Sequence, residues 1–324
     1  MSSSANTLKR TSFSGEFLSK NRWIWSYIGV VILYFLISIV SSSPFSTFTA
    51  SISFSSFLIL VGLGQMLVIT NGPGNIDLSI PYTLAFAASF SLKVTGGTDQ
   101  GIFLGLIVAI LSGMIIGIMN FALIRYGLIP PMIATLASSF VIRTLTIVYF
   151  RGMLIKPPRG LEKFVNTKIL QLPILFVLMV ILSIIVHIVL NRTSYGRGIQ
   201  AIGQNTKAAY LSSIKVNRYK LITYTLSGLF AGMAGFLLAS FTGGATLGMG
   251  TEYQSNSIAV VVVGGTSIAG GDSNVQGIIG ASILLYLITN FLNIIGAGAS
   301  YRSIVTGVVI VGIILATGRK KENR

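Results

Sequence analysis

Asp77 lies in the string TNGPGNIDLSI, where Gly72, Pro73, Gly74 and Asn75 interrupt one apolar run and Asp77 and Ser79 open the next. A carboxylate at such a break has two uses. It can cap the amide-rich start of the following helix, or it can touch a polar solute or a moving helix beside it. The other polar side chains inside or at the edges of apolar runs are Gln65, Asn120, Arg143, Asn256, Asn290 and Asn293. Amides and hydroxyls of this kind bridge neighbouring helices or hydrogen-bond a neutral polar molecule. Arg143 is expensive in lipid, so it must face protein, snorkel or meet a cavity. A catalyst would need other equipment. The chain has no cysteine and one histidine, His187, which excludes thiolate and iron–sulfur chemistry and makes a zinc enzyme a poor fit. The seven acids lie mostly in loops or tails and form no proton-relay ladder. There is no GxxxxGK(S/T) phosphate loop, so this chain is not expected to hydrolyse ATP. No residue is assigned as catalytic, and no cofactor or metal is called for.

The elements that must hold these residues follow from composition. Of 324 residues, 52% are hydrophobic and 9% are charged. Soluble chains carry roughly 25% charged residues, so this surface is solvated by lipid. Crossing a bilayer core of about 30 Å takes about 20 helical residues. The apolar segments are Trp23–Val40, Phe54–Thr70, Leu78–Val94, Ile102–Leu123, Ile129–Tyr149, Leu172–Leu190, Leu221–Phe241, Ser255–Ile268, Val275–Leu292 and Ile304–Thr317. The expectation is an all-α, polytopic transmembrane bundle of about ten spans. Phe54–Thr70 and Ser255–Ile268 are short, and broken helices are expected. Asn71–Ile80 and Gly264–Asp272 are paired Gly-rich breaks in the two halves of the chain, a possible internal repeat with a substrate path at its interface. Gly228 and Gly232, four apart in LSGLFAGMAGF, permit close helix approach.

The net charge of +16 is not a nucleic-acid footprint, because the basic residues cluster between apolar runs. With both termini cytoplasmic, 15 Lys and Arg fall inside, 7 outside, and Arg143 within a span. That bias makes residues 1–22 and 319–324 cytoplasmic tails around a transmembrane domain, 23–318. Arg151–Gln171 is an outer loop with five positive charges. Either it forms a short helix along the lipid interface, or the topology is locally different. Residues 191–220 form the longest inner loop. Within it, Gln204–Ile214 reads as a short helix preceded by Gly203, capped by Asn205 or Thr206, with Ala208, Ala209, Leu211 and Ile214 on an apolar side. That side either packs against the protein's own helix ends and headgroups or docks on a second protein.

Four stretches in order resemble one family. They are GLGQMLVITNGPGNIDLSI at Gly62–Ile80, PPMIATLASSFVIRTLTIVYFRG at Pro130–Gly152, RTSYGRGIQAIGQNTKAAYLSSIKV at Arg192–Val216 and SIAVVVVGGTSIAGGDSNVQGIIGA at Ser257–Ala281. The family is the membrane permeases of bacterial ABC importers for ribose and related monosaccharides. The resemblance implies a multi-pass protein of the cytoplasmic membrane that pairs with a second permease, identical or paralogous, around a central path. It implies sugar delivery by an extracytoplasmic binding protein and dependence on a cytoplasmic ATPase. By that resemblance, the segment from Gly203 through Gln204 to Ile214 is the coupling element entering a cleft of the ATPase. The family commonly reads TGGIDLSVG where this chain has TNGPGNIDLSIP, so the cargo is written as a pentose or hexose and not as ribose alone. The alternative reading is a self-sufficient secondary carrier for a small polar solute.

Overall fold

The computed structural model describes residues 23–151 and 155–298, with 300–302, 304, 305, 307, 308, 311 and 312. The two expected tails and most of the expected span Ile304–Thr317 lie outside the described residues.

The described chain is an all-α bundle with one two-residue hairpin. Its helices are α1 (Ile24–Val40), α2 (Pro44–Thr70), α3 (Ile80–Thr95), α4 (Ile102–Tyr126) and α5 (Pro131–Phe150). A short helix α6 (Arg159–Val165) and strands β1 (Lys168–Ile169) and β2 (Leu172–Pro173) lead to α7 (Ile174–Arg192). Then come α8 (Ser194–Gln204), α9 (Thr206–Leu211), α10 (Val216–Phe241), α11 (Tyr253–Val263) and α12 (Val275–Ile294).

Among the described residues, six helices are long and apolar enough to cross a membrane: α2, α4 with its leading turn, α5, α7, α10 and α12. The expected count of ten is corrected accordingly. The helix α3 has 16 residues and α11 has 11, about 24 and 16 Å at 1.5 Å per residue, and each starts or stops at a break. The 17 residues of the apolar helix α1 stand at the short end of what a crossing needs. One expected segment is longer than the reading allowed. The helix α2 begins at Pro44, ten residues before Phe54, with the proline in its first turn, and its serines fold their hydroxyls back onto the preceding turn. Ser51 donates to the Thr47 carbonyl at 2.9 Å and Ser56 to the Ile52 carbonyl at 3.0 Å.

The same helix is the centre of the bundle, buried on nearly every face. Around it pack α10, α12, α11 and α7, while α4 and α3 lie against α10. The α4–α10 contact is made by glycines, as the spacing of Gly228 and Gly232 allows. A Cβ on Gly228 would stand 2.0 Å from the Gly113 carbonyl oxygen, and one on Gly232 would stand 2.2 Å from that of Ala109. Close backbone approach of this kind is how helices associate where lipid removes the hydrophobic drive.

The basic loop Arg151–Gln171 contains a short helix, α6. Its apolar residues Leu161 and Val165 turn onto the protein and are buried. Gly160 N–H donates to Asp99 Oδ1 at 2.8 Å, which ties the loop to the start of α4.

Candidate functional site

The break after α2 comes from its sequence. Gly72 and Gly74 adopt φ of +122° and +76°, which side-chain-bearing residues rarely hold. The chain re-enters a helix at α3, with Ser79 as N-cap residue and Pro81 in the first turn, where a missing N–H costs little.

Asp77 sits buried at this break. Its Oδ1 accepts the Ser79 backbone N–H at 3.0 Å and the Ser79 hydroxyl at 2.6 Å, and its Oδ2 accepts the Ser227 hydroxyl from α10 at 2.7 Å. Asn120 of α4 donates its amide to Ser79 Oγ at 2.7 Å and accepts from Ser138 of α5. A chain of donors thus runs from Ser138 through Asn120 and Ser79 to the carboxylate. Hydrogen bonds to a charged acceptor are the stronger kind, and here they join α3, α4, α5 and α10 at one point. Just before them, Asn75 donates to the Gly72 carbonyl at 3.1 Å and accepts the Tyr224 hydroxyl of α10 at 3.3 Å. Thr135 of α5 accepts the Leu78 N–H and donates to the Ile76 carbonyl, both at 3.1 Å.

The other polar residues singled out in the sequence are scattered. Asn290 donates to Ser51 Oγ at 2.6 Å and ties α12 to α2. Gln65 is fully buried in α2, and neither its amide nitrogen nor its oxygen has a hydrogen-bond partner. Arg143 is exposed on α5, with its guanidinium 5.5 Å from the Tyr82 ring centroid on α3, a cation–π distance. Asn256 is half-buried in α11, and Asn293 is exposed near the end of α12. Hydrogen bonds therefore gather Asp77, Ser79 and Asn120 into one network with Asn75 beside it, and none of those bonds involves Gln65, Arg143, Asn256, Asn290 or Asn293.

Sequence reasoning missed Ser227, Tyr224, Thr135, Ser138 and Tyr82. Hydroxyl residues in apolar helices usually bond their own preceding turn, so nothing in their spacing marked these as partners of the break.

The loop 191–220 differs from the expected single helix Gln204–Ile214. Asn205 is extended, with φ −158° and ψ +102°, and divides α8 from α9. Its Oδ1 accepts the Ala208 N–H at 3.0 Å, the expected cap. Of the expected apolar side, Ala209 is buried and Ile214 half-buried, while Ala208 is exposed and Leu211 is 75% exposed. Gln204 is exposed and Gly203 is buried inside the protein. The tip of α9 thus presents Tyr210 and Leu211 outward. Beside it, Arg125, Lys207, Tyr210, Lys215 and Arg218 help to line a groove of about 670 Å³. At the other end of the loop, Tyr195 of α8 stacks on Tyr219 with ring centroids 6.0 Å apart and is hydrogen-bonded to Thr223 at 2.9 Å. Burial pushes the Tyr195 hydroxyl up to about 12, so it keeps its proton at neutral pH.

Residues 47–314 match the family described as branched-chain amino acid transport system / permease component. The chain is 33% identical over 300 residues to the ribose import permease protein RbsC of Bacillus subtilis (strain 168), covering 91% of this chain and 92% of that protein. It is 30% identical over 321 residues to RbsC of Escherichia coli (strain K12), covering 95% and 98%. It is also 28% identical over 313 residues to the autoinducer 2 import system permease protein LsrC of Yersinia pseudotuberculosis, covering 94% and 87%. The family match spans most of the length, and the chain belongs to the family of branched-chain amino acid transport system permease components.

Proposed function

We propose that this chain is the membrane-spanning permease subunit of an ATP-driven bacterial importer for a monosaccharide, a pentose or hexose. The observation that carries the reading is the 33% identity to a ribose import permease across 91% of the chain. The chain forms the translocation path with a second permease, receives sugar from an extracytoplasmic binding protein and depends on a cytoplasmic ATPase. Both termini and the loop 191–220 face the cytoplasm.

The path runs beside the break at Asn75–Ser79. Asp77, Ser79 and Asn120 hold that break in place, and Arg143 over Tyr82 faces the path, since an arginine on a lipid-facing surface costs about 2.5–3.5 kcal/mol at mid-span. Asn256, Asn290 and Asn293 extend the polar lining on α11 and α12. The unpaired amide of Gln65 supports a place near the path. A buried polar group without a partner costs about 1–3 kcal/mol, which a hydroxylated solute would relieve. On the cytoplasmic side, Tyr210 and Leu211 at the tip of α9 enter the ATPase, and the basic groove beside them meets acidic surface there. The contact of Gly72 with Gly270 supports treating the two breaks as corresponding parts of a repeat.

Proteoliposomes test the reading. Labelled ribose should enter only when the ATPase, the binding protein and ATP are all supplied. Uptake by this chain alone under an ion gradient would establish a secondary carrier instead.

A further inference from the structure

The buried end of α8 meets both broken segments at once. A Cβ placed on Gly203 would lie 2.0 Å from the Thr70 carbonyl oxygen at the end of α2, and 2.3 Å from the backbone nitrogen of Gly271 in the second break. Gly271 N–H donates to that same Thr70 carbonyl at 3.0 Å. A Cβ on Gly270 would lie 2.3 Å from the Gly72 Cα, so the two breaks also touch each other directly. Gly72, Gly270 and Gly271 all hold positive φ, at +122°, +84° and +76°. Backbone packs on backbone where Gly203 meets Thr70 and Gly271 and where Gly270 meets Gly72, and the Gln204 side chain lies along Gly271 beside them.

The far end of α8 is fastened as well. A Cβ on Gly198 would lie 2.3 Å from the Tyr219 ring, the ring on which Tyr195 stacks at the base of α10. Thus α8 is a short strut fixed to α10 at one end and to both breaks at the other. Close-packed backbones transmit displacement because they have no slack to absorb it.

We propose that α8 and the two broken segments move as one body, and that Gly203 is the positioning residue that fastens them. Resting on the permease reading above, this assigns Gly203 and Gly271 to transmission and leaves ATPase contact to α9. A methyl group at Gly203 forces the α2 terminus and the second break apart by on the order of 1 Å to regain ordinary van der Waals separation. Hydrolysis then continues while the breaks no longer follow.

The test uses the full transporter in proteoliposomes, with labelled ribose and ATP. In Gly203→Ala, the ATPase should still co-purify, and sugar imported per ATP hydrolysed should fall roughly tenfold. An unchanged import-to-hydrolysis ratio would overturn the proposal while leaving the permease reading intact. ATPase-independent uptake by the unsubstituted chain would remove both. If Gly203→Ala does not assemble, a second variant decides. The chain has no native cysteine, so Gln204→Cys with Asp272→Cys supplies its only two thiols, both on exposed residues, one on each side of the Gly203–Gly271 contact, where the Gln204 side chain lies along Gly271. Bridging them with a short thiol reagent should preserve ATP-driven uptake, because the two sides never separate. Loss of uptake on bridging, restored when the bridge is cleaved, would show that the junction opens and would overturn the proposal.

Discussion

Ser227 of α10 donates its hydroxyl to Asp77 Oδ2 at 2.7 Å, across 150 residues of sequence, and both residues are buried. The bond joins the break after α2 to the helix that also carries the glycine contact with α4. Asp77 therefore does more than satisfy the start of α3: it receives one hydroxyl from its own segment and one from a distant helix. In Asp77→Asn, the amide that replaces one oxygen cannot accept, so the facing serine hydroxyl must turn round to accept, and the bonds to a charged acceptor are lost. The expected result is a fall in detergent stability of about 1.5–3 kcal/mol, with reduced uptake. A double-mutant cycle with Ser227→Ala should return a coupling of roughly 0.6–1.7 kcal/mol. Thermal melting of the purified single and double variants measures both quantities.

The α4–α10 seam should not tolerate a side chain. Gly228→Ala places a methyl against the Gly113 carbonyl, and an overpacked contact costs about 1–3 kcal/mol. Gly248→Ala, whose nearest neighbour would be 3.9 Å away, should melt as the unsubstituted chain does.

Arg143 should matter to transport and not to folding. It is exposed and meets the Tyr82 ring, so Arg143→Leu is expected to leave melting unchanged or slightly raised while uptake falls about tenfold, equivalent to ~1.4 kcal/mol. Tyr82→Leu should reproduce part of that loss, and Tyr82→Phe should restore the ring. Initial rates against ribose concentration read the effect.

The tip of α9 offers a cleaner probe of ATPase docking than its buried residue. Ala209→Glu puts a charge where a methyl is buried and should distort the loop itself. Leu211→Asp alters a side chain 75% exposed and should spare melting. Loss of a central apolar anchor costs about 2 kcal/mol or more, so co-purification of the ATPase should drop by more than about tenfold. Pull-down at graded ATPase concentrations measures it.

Much of the architecture was legible in the chain. A charge content of 9% with long apolar runs permits only a lipid-solvated bundle, because every backbone polar group must pair internally in lipid. The Gly–Pro interruption at Gly72–Gly74 marked the first break, and Asn205 marked the start of α9, since both signals are local. The span count was not legible. Hydropathy detects an apolar segment but not whether it crosses whole or stops at a break, as α3 and α11 do. Nor did the sequence indicate that residues 44–53, Ser51 among them, would join α2.

The polar site divides along the same line. Residue type alone picked out Asn75, Asp77, Ser79 and Asn120. Their connection through Ser138, Ser227 and Tyr224 depends on how four helices cross, and a hydroxyl looks the same in sequence whether it serves its own turn or a helix 150 residues away. Gly203 shows the difference most clearly. As a sequence signal it was only the residue before a capped helix, and its resemblance placed it toward the ATPase. Tertiary packing buries it between Thr70 and Gly271, because only a residue without a side chain admits three backbones at that distance.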